Sequence, residues 1–404
     1  MENAGDVPVE KRAPITGKKV AVIGGGPSGL SAAYYLSIMG HDVDIFERRE
    51  KLGGMLRYGV PSYRLPREIL DGEIDNILST GGINVNYGVT VGQDISVVDL
   101  EEKYNALYIA IGAHIDKKIG MEGQDAKGVI SAVDVLREIG DDEYPDFTGE
   151  TVVVIGGGNV AIDVARSAMR LGAEKVSIVY RRRKTDMPAM EEEVEGAIAE
   201  GCEILDLFVP GKVETDENGH IKSLWVKPQI VGTIQGGRPI PANAAEDVQK
   251  IKCDKLIVAI GQDCELKEFE EEGLPVIEGV IDALDCAGVK DVPGIYAGGD
   301  CVSGPATVIR AIAAGKVAAA NIDNYLGYHH VIETDVKIPE ARLADRVPRG
   351  RVNMKHRDVS DRVKDFDLVE LGMTFEEATQ ESERCLRCDH FGLGVFKGGR
   401  VEKW

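Results

Sequence analysis

The chain has 404 residues, 43% of them hydrophobic, and its 68 acidic against 47 basic side chains give a formal net charge of −21. That length supports two or three domains with sizeable cores, and the charge opposes general binding to nucleic acid or to anionic membranes. No run approaches the roughly 18 apolar residues that a spanning helix needs, and residues 1–19 carry charge rather than an apolar signal segment, so no membrane span and a cytoplasmic location are expected.

The stretch Val20-Ala-Val-Ile-Gly-Gly-Gly-Pro-Ser-Gly29 organises the first part of the chain. Its apolar run over 20–23 predicts a buried parallel strand that turns through Gly24-x-Gly26-x-x-Gly29 into a helix ending near Gly40. Gly24 permits the tight turn, Gly26 lets the backbone approach a pyrophosphate, and Gly29 lets the helix pack on the strand, with the helix amino end facing the phosphate charge. Pro27 suits a first turn, where its missing N–H loses nothing. A second strand over 43–46 ends in Glu47, whose carboxylate can accept hydrogen bonds from a ribose diol. Residues 51–66 are too dense in glycine and proline for a regular element, and Gly53 and Gly54 suit a backbone lying close to a flat ligand. A helix over 67–80, a β-like segment over 83–91 and a strand over 106–112 follow. Residues 118–150 read as a crossing segment holding one helix, over 132–139.

The opening pattern then repeats. A strand over 151–155 leads into Gly156-Gly-Gly158-Asn159-Val160-Ala161, a helix runs to about residue 172, and a strand covers 176–180. Ala161 stands where the third glycine would be, which the fingerprint tolerates. Where the first unit has Glu47, the second has Arg181-Arg-Arg-Lys184. With no carboxylate for a 2′-hydroxyl and several cations for a 2′-phosphate, this site should prefer NADP(H), with Arg181 and Arg182 the first candidates. Asp186 to Glu193 reads as a capped helix start with Pro188 in its first turn. Residues 204–258 read as β-rich, and a strand ending in Gly261 resembles the one ending in Gly112. Next, Asp300 follows a strand and two glycines, so it can bind a ribityl hydroxyl. The helix after it, over 306–325, would point its positive amino end, at Thr307 and Val308, toward a flavin pyrimidine edge. The remainder is mostly polar; Thr374-Phe-Glu-Glu377 is a capping box opening a helix to about residue 388.

Together, Gly24 to Glu47, Gly53-Gly-Met-Leu-Arg-Tyr-Gly-Val-Pro-Ser-Tyr-Arg-Leu-Pro66, Gly156 to Ala161 with Tyr180-Arg-Arg-Arg183, and Ala297-Gly-Gly-Asp300 resemble the small (beta) subunit of glutamate synthase and its relatives, which include the NADPH-binding flavoprotein subunits of electron-bifurcating transhydrogenases. The resemblance implies FAD in the first unit, NADPH in the second, and hydride transfer between them. FAD contacts are then expected from Gly24, Gly26, Pro27, Ser28, Gly29, Glu47 and Arg48, from Gly54, Met55 and Arg57, from Val91, Ala110 and Gly112, and from Gly299, Asp300, Thr307 and Val308. NADPH contacts are expected from Gly156, Gly158, Asn159, Val160, Ala161, Arg181, Arg182 and Gly261. The expected fold is α/β: two Rossmann-like dinucleotide-binding domains, the NADPH domain inserted in the FAD domain, plus a mostly irregular C-terminal tail with one helix. Residues 1–117 and 263–327 would form the FAD-binding domain, 151–262 the NADP(H)-binding domain, and 328–404 an extension for partner docking.

Members of the family typically carry a cysteine-rich N-terminal domain for iron-sulfur clusters, whereas this chain has no cysteine before Cys202. The resemblance therefore implies clusters and a further flavoprotein on partner subunits. Cys385 and Cys388 lie one turn apart near the end of the last helix, but a metal or cluster needs four ligands and only His390 and His356 are at hand, so the site is incomplete or shared with a partner. Free thiols capping a docking helix are the alternative. Three rival functions remain: a glutamate synthase small subunit-type NADPH dehydrogenase, a disulfide reductase of the thioredoxin-reductase type, disfavoured because the core has no redox cysteine pair, and a non-catalytic docking subunit.

Overall fold

The computed structural model describes residues 10–235, 238–331 and 350–384. Two five-stranded sheets carry the two units. In the first the strands lie in the order Ile295–Ala297, Ala106–Ile109, Lys19–Ile23, Asp42–Glu47, Ile83–Tyr87, every neighbouring pair parallel. Val20, Ala21 and Val22 are fully buried because both faces of the sheet are covered, which is why this strand reads as a continuous apolar run. Helices Pro27–Ile38 and Val308–Tyr325 pack together on one face and meet at Gly315, where a Cβ would fall on the Ser28 carbonyl oxygen. The other face closes over Leu100, Leu107, Ile109 and Phe269. Leu100 belongs to a helix that the sequence reading missed, Val97–Lys103, capped by Ser96 and Asp99.

The second sheet has the order Val129–Ser131, Lys255–Val258, Thr151–Ile155, Lys175–Tyr180, Glu203–Asp206, again all parallel. Residues 118–150, expected only to cross between units, thus supply an edge strand and the helix Ala132–Gly140 to the second unit. A three-residue strand is too short for any periodicity to show. The β-rich region is a separate antiparallel sheet built from Phe208–Thr215, Ile221–Gln235, Arg238–Asn243 and Gln249–Lys252. The strands Ile115–Asp116 and Gln262–Asp263 pair antiparallel, so the chain enters and leaves the second unit through one ribbon.

One expected helix start is corrected. Asp186 caps nothing; it closes a 3-10 turn, Lys184–Asp186, and pairs with Arg183 at 2.8 Å. Met187, ahead of Pro188, is extended (φ −65°, ψ 133°) as the proline ring demands, and the helix begins only at Glu191. In the C-terminal part the capping box forms as expected: Thr374 Oγ1 accepts from Glu377 N at 3.2 Å, and the Glu377 carboxylate accepts from Thr374 N at 2.9 Å. Helix Phe375–Glu383 is the last described element, and Cys385, Cys388 and His390 lie outside the described residues.

Candidate functional site

The first glycine turn is shaped by the protein on two sides and left open on the third. Gly24, at φ +103°, donates to the Phe46 carbonyl at 2.8 Å, and a Cβ on it would stand 2.5 Å from the Ala110 carbonyl oxygen. A Cβ on Gly29 would fall on the Gly24 carbonyl oxygen, so Gly29 is required by helix packing. Gly26 differs: its nearest neighbour would be Gly54 Cα at 3.7 Å, an ordinary contact. Nothing in the protein requires a glycine there, as expected of a residue kept small for a ligand. Glu47 ends its strand with the carboxylate accepting from Gly25 N at 2.8 Å and Arg49 N at 2.9 Å. Those bonds brace the turn and leave lone pairs on both oxygens for a diol.

Above this turn lies a cavity of about 520 Å3. Gly24, Gly26, Pro27, Ser28, Glu47, Arg48, Gly54, Met55, Val91, Ala110, Gly112, Gly299, Asp300, Thr307 and Val308 all line it. The sequence-distant loops meet because the Gly53 amide donates to the Gly25 carbonyl at 2.9 Å, and because the sheet order sets residues 110–112 between residues 23–26 and 298–300. Burial pushes the Asp300 carboxyl up, and Ala306 N holds it at 3.2 Å. Thr307 and Val308 present the amino end of an 18-residue helix, a fixed positive pole, to the cavity.

Two polar atoms in the wall have no partner: His114 Nδ1 and Gln262 Nε2 are buried without a hydrogen bond. Burial first, then Arg48, Arg49 and Arg137, holds the His114 ring low, at about 3, so it is neutral at pH 7. Sequence reasoning singled out neither His114 nor Gln262, nor Glu265 and Phe269, which belong to no glycine motif, nor Tyr58 and Arg64, which lie in the 53–66 segment but whose side-chain directions the motif does not fix. Arg57, expected at the FAD, does not line the cavity. The Arg57 guanidinium is buried away from the cavity, donating to the Leu52 carbonyl at 2.7 Å and to Asp71, so it shapes the loop from behind.

The same cavity reaches the second unit, where Asn159, Val160, Asp163 and Met190 line it. Gly156 packs as Gly24 does, its Cβ position falling on the Ala259 carbonyl, while Gly158 has nothing within 4 Å of a Cβ. Ala161 is wholly buried behind the turn. The arginines at the strand end divide their work. Arg183 is paired with Asp186, Arg182 Nε donates to the Pro239 carbonyl at 2.8 Å, and exposed Arg181 has no ion-pair partner among the described residues. Gly261 is exposed on the ribbon outside the cavity, its carbonyl accepting from Lys117 N at 3.0 Å.

Arg64 crosses between the units to meet Asp163 through two bonds of 2.8 and 2.9 Å. Burial pushes the Asp163 carboxyl up to about 6 against the pull of Arg64. Arg64 is itself raised, since the carboxylates of Asp163 and Glu193 outweigh its burial. A single Arg64 nitrogen, Nη1, donates to both Asp163 oxygens while Nε lies 3.2 Å from Glu193, so at pH 7 the contact is guanidinium with carboxylate. The described cysteines are all unpaired, and burial pushes Cys202, Cys253 and Cys301 up to about 12, so none of these three is a ready thiolate. No described helix is long and apolar enough to cross a membrane.

Residues 18–315 match the pyridine nucleotide-disulphide oxidoreductase family. The chain is 39% identical over 406 residues to the NADP(+)-dependent formate dehydrogenase subunit beta of Moorella thermoacetica, covering 96% of this chain and 57% of that one. It is 32% identical over 331 residues to the glutamate synthase [NADPH] small chain of Escherichia coli, covering 77% of this chain and 69% of that one. The chain therefore spans little more than half the length of the formate dehydrogenase subunit. Among solved structures, FprA from Mycobacterium tuberculosis superposes with a TM-score of 0.68 at 19% identity, over 78% of this chain and 85% of that one, a likeness of fold.

Proposed function

The chain belongs to the pyridine nucleotide-disulphide oxidoreductase family, and from that premise we propose that it is an FAD-dependent NADP(H) oxidoreductase subunit working within a multisubunit redox complex. The observation that carries this reading is the single cavity running from the Gly24–Ser28 turn and Asp300 to the amino end of the helix Asn159–Arg170. The residues fit the cofactors: Gly26 leaves room for a diphosphate, Glu47 for a ribose, and Asp300 with the helix end at Thr307 for the polar parts of a flavin. When bound, FAD supplies the redox chemistry, taking two electrons from a nicotinamide and releasing them singly. The protein's own residues bind, orient and exclude water. Gly158 and the amides that follow seat the second diphosphate, Arg181 reads the 2′-phosphate, and Arg182 holds the wall beside it. No side-chain nucleophile is needed, and the raised thiols argue against disulfide reduction.

The names of similar proteins, subunits of a formate dehydrogenase and of glutamate synthase, support a partner that carries the electrons onward. We extend this to iron-sulfur and flavoprotein partners, with an electron-bifurcating transhydrogenase as the first instance and a glutamate synthase-type complex as the second. Cys385 and Cys388 would contribute ligands at that junction. Gentle purification from the native source tests the proposal. A yellow chain that releases FAD and travels with iron-containing partners is expected; a colourless chain that takes up no added FAD overturns it.

A further inference from the structure

We propose that Tyr63 and Arg64, backed by the C-terminal segment 356–369, are positioning residues that fix the second unit's first helix against the first unit and so set how a nicotinamide reaches the flavin. This rests on the function proposed above. The helix Asn159–Arg170 carries two things on successive turns. Its amino end, Asn159 and Val160, lines the cavity where a dinucleotide would sit. One turn on, Asp163 accepts both bonds from Arg64, and on the same face Arg166 and Arg170 close over Tyr63, their guanidinium carbons 4.8 and 4.0 Å from its ring centre. A helix is stiff over four residues, so displacing Asp163 displaces Asn159 with it.

The other half of the clamp belongs to the flavin side. Residues 59–66 run on directly from a turn whose Gly54, Met55, Leu56 and Tyr58 line the first arm of the cavity. Tyr63 is fully buried, with its hydroxyl donating to the Asp163 carbonyl at 3.3 Å. One short loop thus reports the position of each cofactor seat to the other.

The C-terminal segment holds this loop from outside. Val369 N donates to the Tyr63 carbonyl at 2.9 Å, and Ser62 Oγ donates to the Phe366 carbonyl at 3.0 Å. The Phe366 ring lies 6.1 Å from Tyr63 and 5.1 Å from Tyr144, against the core of the second unit. Arg362 places Nε 2.9 Å from Glu200, which Arg166 and Arg170 also hold, at 2.6 and 2.7 Å. The Arg362 Nε–H is not aligned as a hydrogen bond to Glu200, so its contribution there is charge and packing. The segment therefore touches the loop and both sides of the junction while contributing nothing to the lining of the cavity.

The test uses the full chain with Arg362→Ala and Phe366→Ala, two independent ways of loosening the clamp should one not fold, and Arg362→Lys as the conservative control. Three quantities are read: FAD content with NADPH affinity, the rate of flavin bleaching at saturating NADPH, and amide exchange over residues 59–66. Expected are FAD content and NADPH Kd within about threefold of wild type, bleaching slower by about 10- to 100-fold, exchange at 59–66 faster by about tenfold or more, and recovery in Arg362→Lys. Faster exchange with an unchanged bleaching rate overturns the positioning role, and so does an equal loss of Kd and rate. A wild type that binds neither cofactor sinks the proposed function instead, while the exchange comparison still reads whether the segment holds the loop.

Discussion

Replacing Gly26 with alanine separates ligand space from packing space, and the structure gives opposite answers for Gly26 and Gly29. Gly26 is extended (φ −80°, ψ −177°), a conformation open to any residue, and a Cβ would lie 3.7 Å from Gly54 Cα. The ligand-free protein should therefore tolerate Gly26→Ala within about 1 kcal/mol, with a small gain from the stiffer unfolded chain. Gly29→Ala drives a methyl into the Gly24 carbonyl and should cost about 1–3 kcal/mol or more. Adding FAD reverses the ranking. A ligand at a thousand times its Kd stabilises by about 4 kcal/mol, and Gly26→Ala should forfeit most of that because its methyl occupies the diphosphate's approach. Urea unfolding followed by circular dichroism, with and without excess FAD, measures all the terms. The reasoning is refuted if Gly26→Ala keeps the full FAD stabilisation, or if its ligand-free form is as weakened as Gly29→Ala.

Arg181→Ala should remove one charge-assisted contact, about 1.5–3 kcal/mol, weakening NADPH about 10- to 150-fold while leaving NADH unchanged, as read by calorimetric titration; equal effects on both would count against a 2′-phosphate role. His114 is depressed to about 3 in the folded chain, so its contribution is fully present above its ordinary value near 6.5 and is lost as pH falls below it, by at most about 2 kcal/mol at pH 5. His114→Gln should flatten that part of the stability profile between pH 8 and 5, and a wild-type-minus-variant difference that ignores pH would sink the assignment. Burial pushes the Glu200 carboxyl up, but hydrogen bonds from Arg166 and Arg170 outweigh it and hold it at about 2. Glu200→Gln leaves three guanidinium groups facing a neutral amide and should cost about 3–5 kcal/mol in the same assay; a change below about 1 kcal/mol would mean that the cluster contributes no net stability.

What the sequence made legible was whatever depends on neighbours a few residues away. Both glycine turns, the strands that feed them and the acid-versus-arginine contrast at Glu47 and Arg181 are local facts of backbone shape and charge. The helix Val97–Lys103 had its Ser96 and Asp99 capping box in plain view, yet at seven residues it showed no periodicity. Arg57 turns away from the cavity because a motif fixes the path of the backbone and not the direction of a long side chain. The start at Asp186 failed because a proline at the first helical position and a proline that holds its predecessor extended look alike in sequence. Tyr63, Arg64 and the Glu200 cluster were out of reach altogether: Asp163 lies about 100 positions from Tyr63 and Arg64, Glu200 lies 30 and 34 from Arg170 and Arg166, and Arg362 and Phe366 join them only by a returning C-terminal segment.

The central claim, that a nicotinamide in the second cradle is a redox partner for a flavin in the first, is met most directly by anaerobic titration of the purified chain with NADPH and, separately, NADH, followed at the visible flavin band. Bleaching is expected at near-stoichiometric NADPH, with NADH requiring concentrations at least about tenfold higher. A band that NADPH leaves untouched, or that both coenzymes bleach alike, would contradict the account.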